Sequence, residues 1–258
     1  MTICLILFFV KIKFMFTLYK KEIRSFFSSL TGYIVIIVFL LANSLFLWIF
    51  PGEFNVLDGG YANIDALFII SPWIFLFLVP AITMRFFAEE KRSGTLEFLL
   101  TQPLSDLQII LAKYFAGLTL VLFSILPSLI YFLSVYLLGS PVGNIDIGGT
   151  WGSYIGLFFL SAVYVSIGLF ASSVTENQII SFIIAIIISF FLFIGFESIS
   201  NLEFLRDLGN FIINLGIYEH YRAMSRGVID LRDIIYFISA ISIFTLFTKI
   251  VLESRKWQ

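Results

Sequence analysis

The chain has 258 residues, of which 60% are hydrophobic and only 13% are charged, whereas a soluble domain carries about 25% charged residues. One globular core cannot hide so many apolar side chains, so the composition predicts a polytopic membrane protein. The net charge of −1 gives no reason to expect a nucleic-acid partner. One cysteine and one histidine exclude an intrachain disulfide and a Cys/His metal cluster.

The N-terminal region divides at Met15, which we interpret as the start of the native protein. Residues 1–10 form an apolar run that is too short to span a bilayer, and no small-residue cleavage site follows it. We therefore expect residues 1–14 to be an extension and residues 15–258 to form a single transmembrane domain.

From Tyr19 to Leu30, apolar residues recur at helical spacing while cations occupy other faces. This pattern predicts an amphipathic helix in the membrane interface, with its cations toward anionic headgroups. The alternative is a cluster of positive charge that serves only to orient the chain. The residues assigned to the interface are Lys20, Lys21, Arg24, Phe26 and Phe27.

Six later stretches are long and apolar enough to cross hydrocarbon, which takes about 17–25 helical residues. They lack the alternation of a barrel strand, so the sequence predicts an all-α fold. The predicted spans are residues 31–50, 67–84, 114–138, 151–174, 179–197 and 234–252. Small residues in the fourth span favour close helix packing, with a substrate path as the alternative. These small residues are Gly156, Ser161, Ser166 and Gly168.

The distribution of Lys and Arg predicts the orientation of the bundle. If the N-terminus is cytoplasmic, 12 of the 16 cations lie on the inner side and four on the outer side. This asymmetry fits the positive-inside rule, so we expect both termini in the cytoplasm.

The polar stretch Glu89–Glu97 lies between the second and third spans, on the predicted inner side. Gly94 can separate two helical pieces because it adopts backbone angles that other residues resist, and Pro103 ends the unit. Ser105 and Gln108 form a capping-box pattern that opens the third span. A short helix held between two spans can transmit a push, so it is the candidate contact with a soluble partner. The alternative is a solvated loop that marks the cytoplasmic side.

Other ionisable residues lie near predicted span ends. Lys113 is expected to extend toward the cytoplasmic headgroups, and Glu197 to lie at the outer interface, where a carboxylate costs little. In the outer segment 198–233, His220 and Glu219 are expected to face solvent. Apolar residues at helical spacing in this segment predict a re-entrant or surface-lying amphipathic helix. They are Phe204, Leu208, Phe211, Ile212 and Leu215.

The order of residues after the second span resembles the pattern of ABC-2 type permeases, the membrane subunits of ATP-driven transporters. The matching residues are Glu89, Glu90, Gly94, Thr95, Glu97, Leu99, Leu100 and Pro103, with Lys113 where the family often has a lysine. Segments 20–27, 172–178 and 225–230 resemble the family as well. One departure is Ala112, which stands where a glycine is common. The branch that the chain resembles most is the gliding-motility-associated permease, and the nitrous-oxide-reductase maturation permease is also similar.

The resemblance implies that two permeases, identical or related, dock on two cytoplasmic ATP-binding subunits at a bacterial inner membrane. It also implies a type V exporter-like fold, with segment 87–103 as the coupling helix. The chain contains no G-x-x-x-x-G-K-[ST] loop, so we expect no bound cofactor and no enzymatic centre, with ATP held by the partner. One alternative is an ion-coupled secondary transporter, which would need ionisable residues within the spans. Another is the permease of a copper-enzyme maturation system.

Overall fold

The computed structural model describes residues 2–202 and 208–254, with the backbone alone for residues 2–12. Within these residues the architecture is helical. The helices are α1 (Thr2–Phe27), α2 (Leu30–Ser44), α3 (Asp65–Thr83), α4 (Ala88–Arg92), α5 (Thr95–Leu100), α6 (Asp106–Ile125), α7 (Leu129–Leu138), α8 (Ile147–Val174), α9 (Gln178–Phe190), α10 (Phe196–Ser200), α11 (Gly209–Ile213), α12 (Ile217–Ser225) and α13 (Leu231–Ser254). Single π-helical turns, Leu45–Ile49 and Phe191–Gly195, extend α2 and α9, and the 3-10 turn Leu126–Ser128 joins α6 to α7.

Six continuous helical segments are long and apolar enough to cross a membrane, as the sequence predicted. They are Leu30–Ile49, Asp65–Arg92, Asp106–Leu138, Ile147–Val174, Gln178–Ser200 and Leu231–Ser254. The second segment runs past the predicted end at residue 84 because it includes α4 after α3, and the third span begins at Asp106 and not at residue 114. The capping box explains this earlier start, because Ser105 accepts from the Gln108 backbone N–H while the Gln108 side chain accepts from the Ser105 backbone N–H.

The fourth span, α8, is the centre of the bundle and packs against α3, α9, α12 and α13. Its small residues allow this close packing, as predicted. A Cβ atom added to Gly168 would lie 1.9 Å from Thr83 Oγ1, and Ser161 and Ser166 are fully buried. Each serine hydroxyl donates to a backbone carbonyl of its own helix, so burial leaves no donor unpaired there.

The N-terminal helix α1 packs along α6, and it also carries exposed cations. Leu18 and Phe26 are buried, and the Tyr19 hydroxyl lies 2.9 Å from Thr119 Oγ1. Residues 2–14, expected to be an extension, continue the same helix. The apolar face of α1 therefore rests partly on the protein and not only on lipid.

The prediction of an outer amphipathic helix is only partly correct. Phe204 lies outside the described residues, α11 is a single turn, and Leu208, Phe211 and Leu215 are exposed. The helix that packs on the bundle is α12, which the apolar spacing did not indicate. Its Tyr221 hydroxyl donates to the Phe68 carbonyl at 2.6 Å. Burial raises the pKa of the Tyr221 hydroxyl, and the nearby Tyr218 raises it further by a smaller amount. This hydroxyl therefore keeps its proton.

The prediction that His220 faces solvent is wrong. Its Nδ1 lies 2.7 Å from Asp233 Oδ1 and its Nε2 lies 2.9 Å from the Asn214 carbonyl. Its ring stacks on Tyr236 at a centroid distance of 3.9 Å. His220 therefore joins α12 to the beginning of the sixth span.

Candidate functional site: a charged unit between the second and third spans

Two short helices form the polar unit, and Gly94 separates them as predicted. Gly94 has φ of 69°, a conformation in the left-handed region, and it precedes the first residue of α5. The Ser93 hydroxyl donates to the Glu89 carbonyl at 2.8 Å, which closes the end of α4. Leu96 is buried, Leu99 and Leu100 are partly buried against the core, and Thr95 and Pro103 are exposed. The α4–α5 unit is thus an ordered structure with one apolar side on the bundle.

A cluster of four charges, of which Lys113, Glu22 and Glu90 are largely buried, anchors α4 to α1 and α6. Lys113 Nζ lies 2.8 Å from Glu22 Oε1 and 3.0 Å from Glu90 Oε2, and it also donates to the Phe86 carbonyl at 2.7 Å. Lys21 Nζ donates to Glu90 Oε1 at 3.1 Å. Two lysines and two glutamates balance in charge, which is the condition under which buried ions are tolerated.

The cluster corrects one prediction. Lys113 does not extend to the headgroups, because its side chain is fully buried between two carboxylates. Lys21, predicted to face lipid headgroups, has a side chain 60% exposed that also contacts Glu90 and Glu22, at 3.1 and 3.8 Å. Burial lowers the pKa of Lys21, yet the charges of Glu90 and Glu22 more than offset this effect and raise the pKa above its ordinary value. Lys21 is therefore a cation at neutral pH.

A second contact holds α4 to the central helix. Lys91 is buried, and its Nζ donates to the backbone carbonyl of Ser173 in the last turn of α8. Glu90 and Lys91 are adjacent in sequence but reach opposite neighbours, the charge cluster on one side and α8 on the other. The position of α4 is consequently fixed relative to α1, α6 and α8 together.

The exposed residues of the unit combine charge with an aromatic ring. Glu89, Arg92 and Glu97 are exposed, and Phe98 is 74% exposed. Between α1 and α4, a recess of about 420 Å³ includes Glu89 and Arg85 in its lining. An exposed Phe surrounded by exposed charged residues is suited to contact with another protein, because interfaces combine aromatic anchors with a polar rim.

Two residues that the sequence predicted to act as a pair have different surroundings in the structure, and two further residues of the site were not predicted. Glu89 and Glu90 were predicted as a pair, yet Glu89 is exposed and Glu90 lies inside the charge cluster. Glu22 was missed because its partners lie far along the chain. Phe98 was missed because a Phe beside three leucines is ordinary in this sequence.

The predicted interfacial residues of α1 also differ from one another. Lys20 and Arg24 are exposed, and Lys20 Nζ lies 4.6 Å from the Phe16 ring centroid. Phe26 is buried and Phe27 is partly buried, with its ring 5.5 Å from that of Phe123. Lys20 and Arg24 fit the predicted contact with headgroups, whereas Phe26 serves packing.

Six apolar helices, of which α8 is the central and most buried, define a multi-pass membrane protein. The model of the ABC-2 family transporter proteins matches residues 51–253, which is most of the chain. The chain therefore belongs to the ABC-2 transporter family, whose members are membrane permeases of ABC systems. No curated protein matches it.

Proposed function

We propose that this chain is the permease subunit that takes its drive from a separate ATP-hydrolysing subunit docked on α4–α5. The observation that carries the proposal is Phe98, an aromatic side chain 74% exposed on α5, directly after α4, which is anchored to α1, α6 and α8. Buried aromatic anchors surrounded by charged residues are typical of stable interfaces. Phe98 would fill a pocket of the partner while Glu89, Arg92 and Glu97 form the charged rim.

The contacts behind this face supply the route by which motion would travel. Glu90 ties α4 to α1 and α6 through Lys21 and Lys113, and Lys91 ties it to α8. Ion pairs and hydrogen bonds between packed helices resist sliding, so the helices would move with α4. This arrangement favours a lever over a loop that only marks the cytoplasmic side.

The proposed orientation puts α4–α5 in the cytoplasm of a bacterial cell and the chain in its inner membrane, because 12 of 16 cations fall on that side. The proposed assembly contains two permeases, identical or related, and two ATPase subunits. The sequence resemblance favours a role in gliding motility, with a copper-enzyme maturation system as the alternative. Genes beside the one for this chain test this choice, since motility genes would support the first role and copper-enzyme genes the second.

The distribution of buried charge favours this proposal over an ion-coupled carrier. In the part of the chain that the structure describes, the buried charged side chains are Glu90, Lys91, Lys113 and Asp233. The first three lie around α4, and Asp233 is in the first turn of the sixth span. An ion path would need such groups near the middle of the membrane.

A co-purification experiment tests the docking surface. The chain is co-expressed with an ATP-binding-cassette subunit encoded beside it, and the ATPase recovered with the tagged permease is measured. We expect Phe98→Asp to abolish recovery, and Glu89→Lys with Glu97→Lys to reduce it. The matched control is Phe54→Asp, which alters an aromatic side chain 39% exposed in the loop between the first two spans, at the other end of the bundle. Equal recovery with Phe98→Asp and Phe54→Asp would refute the proposed surface.

A further inference from the structure

A cavity of about 660 Å³ opens at the end of the bundle away from α4–α5. It lies between the first turns of α3 and α8, the junction of α9 with α10, and α12. Small-molecule sites commonly measure about 300–1,000 Å³. The proposed coupling surface makes no use of this cavity.

Two walls of the cavity carry a carboxylate at the mouth and apolar side chains deeper inside. On α3, Asp65, Ile69 and Trp73 lie four residues apart and so share one face over about 12 Å of helix. On the other wall, Glu197 lies one turn nearer the mouth than Phe193 and Ile194. The cavity is therefore amphipathic along its depth.

The third wall, α12 with the residue that follows it, supplies two cations. Arg222 and Arg226 line the cavity one helical turn apart, both are exposed, and neither forms an ion pair with a described residue. Asp146, at the start of α8, adds a further carboxylate to the lining. Guanidinium groups bind phosphate well, and carboxylates accept hydrogen bonds from ammonium groups. A ligand that carries a phosphate and an ammonium group would therefore pair with the arginines and with the carboxylates.

The deeper part of the cavity is lined by aromatic rings, and part of its apolar lining is exposed. The Trp73 and Phe193 rings meet edge to face at 5.9 Å, and Phe193 meets Tyr218 at 5.3 Å. Ile69 and Trp73 line the cavity yet are 53% and 43% exposed, on the surface of an apolar span. An exposed apolar edge of this kind is suited to contact with the hydrocarbon of a bilayer, from which a lipid could enter the cavity.

We propose that this cavity binds a phospholipid whose headgroup joins a phosphate to a primary ammonium, as in phosphatidylethanolamine. Arg222 and Arg226 hold the phosphate, Asp65, Asp146 and Glu197 receive the ammonium, and an acyl chain lies along Ile69 and Trp73. The proposal goes beyond the coupling function and does not depend on which leaflet this end of the bundle faces.

Native mass spectrometry of the purified full chain tests the proposal with four probes. They are phosphatidylethanolamine, phosphatidylglycerol, glycerophosphoethanolamine and inorganic phosphate. We expect phosphatidylethanolamine to bind about tenfold more tightly than phosphatidylglycerol, which lacks the ammonium, or than either water-soluble probe. Equal binding of the two lipids would overturn the assignment of the headgroup. Binding of glycerophosphoethanolamine as tight as that of the lipid would overturn the role of the apolar wall.

Matched variants locate the binding. Arg222→Gln with Arg226→Gln is expected to weaken phosphatidylethanolamine binding about tenfold, whereas Arg232→Gln, an exposed arginine outside the cavity lining, leaves it unchanged. Trp73→Ala is expected to weaken it as well, and Trp151→Ala, equally exposed but outside the lining, is not. Thermal unfolding establishes that each variant is folded. Unchanged binding in the double-arginine variant would overturn the site.

Discussion

Replacing Lys113 with Met tests the balance of charge in the cluster that anchors α4. The substitution removes a fully buried cation and leaves Glu22 and Glu90, each with its side chain 11% exposed, beside one another. Removing one partner of a buried pair costs about 3–5 kcal/mol. Lys21 remains at 3.1 Å from Glu90 but is 60% exposed, so it compensates only in part and the lower end of that range is expected. A loss of about 3 kcal/mol corresponds to roughly 6–12 °C in melting temperature for a chain of this size.

Thermal unfolding of the detergent-purified protein, followed by tryptophan fluorescence and gel filtration, measures the effect. Adding Glu22→Gln to Lys113→Met leaves Lys21 and Glu90 as a balanced pair, so the double variant should recover most of the lost stability. The control is Lys249→Met, whose pair with Glu253 at 3.5 Å is more than a third exposed on both sides, so its loss should stay under about 0.5 kcal/mol. If Lys113→Met cost no more than this control, or if Glu22→Gln gave no recovery, the account of a charge-balanced buried cluster would be refuted.

Six further substitutions have expected outcomes. Gly168→Ala forces a methyl against Thr83 Oγ1 and should cost about 1–3 kcal/mol in the same unfolding assay, whereas Gly148→Ala meets only Asp146 Oδ1 at 3.5 Å and should be near neutral. Glu89→Lys should abolish transport-coupled ATP hydrolysis with an unchanged melting temperature, while Glu90→Lys should lower both; equal stability of the two variants would contradict their different burial. Ser105→Ala removes one half of the capping box and should cost about 1 kcal/mol, which a calorimetric scan can detect. Tyr221→Phe leaves the Phe68 carbonyl without its donor and should cost about 1–3 kcal/mol in the unfolding assay, so an unchanged melting temperature would contradict the role given to this hydrogen bond.

The spans were predictable because the energy that places them is local. A segment that crosses the hydrocarbon core must be continuously apolar, regardless of which helices it packs against. Each of the six spans could therefore be located from the sequence. The break at Gly94 and the start of α6 at Ser105 were predictable for a similar reason, since turn and capping chemistry involves near neighbours. The same capping box, given more weight, would have placed the start of the third span at Asp106.

The tertiary contacts of charged residues could not be predicted from local pattern. Lys113 looks like an interfacial lysine until α1 brings Glu22, 91 residues earlier, to 2.8 Å from its Nζ. His220 looks like a loop residue until Asp233 and Asn214 approach its two ring nitrogens. The packing of α12 was equally hidden, because it depends on a close approach: a Cβ on Gly152 would lie 2.7 Å from the Met224 carbonyl.

The central helix α8 has 28 residues and no proline, so it forms a rod about 42 Å long at 1.5 Å per residue. Near one tip, Ser173 accepts from Lys91 of α4, and near the other, the Ser153 hydroxyl donates to the Ser225 carbonyl of α12 at 2.9 Å. A tilt imposed at the first tip would therefore swing the second through a comparable arc. The wall that bears Arg222 and Arg226 would move without any change of fold in between.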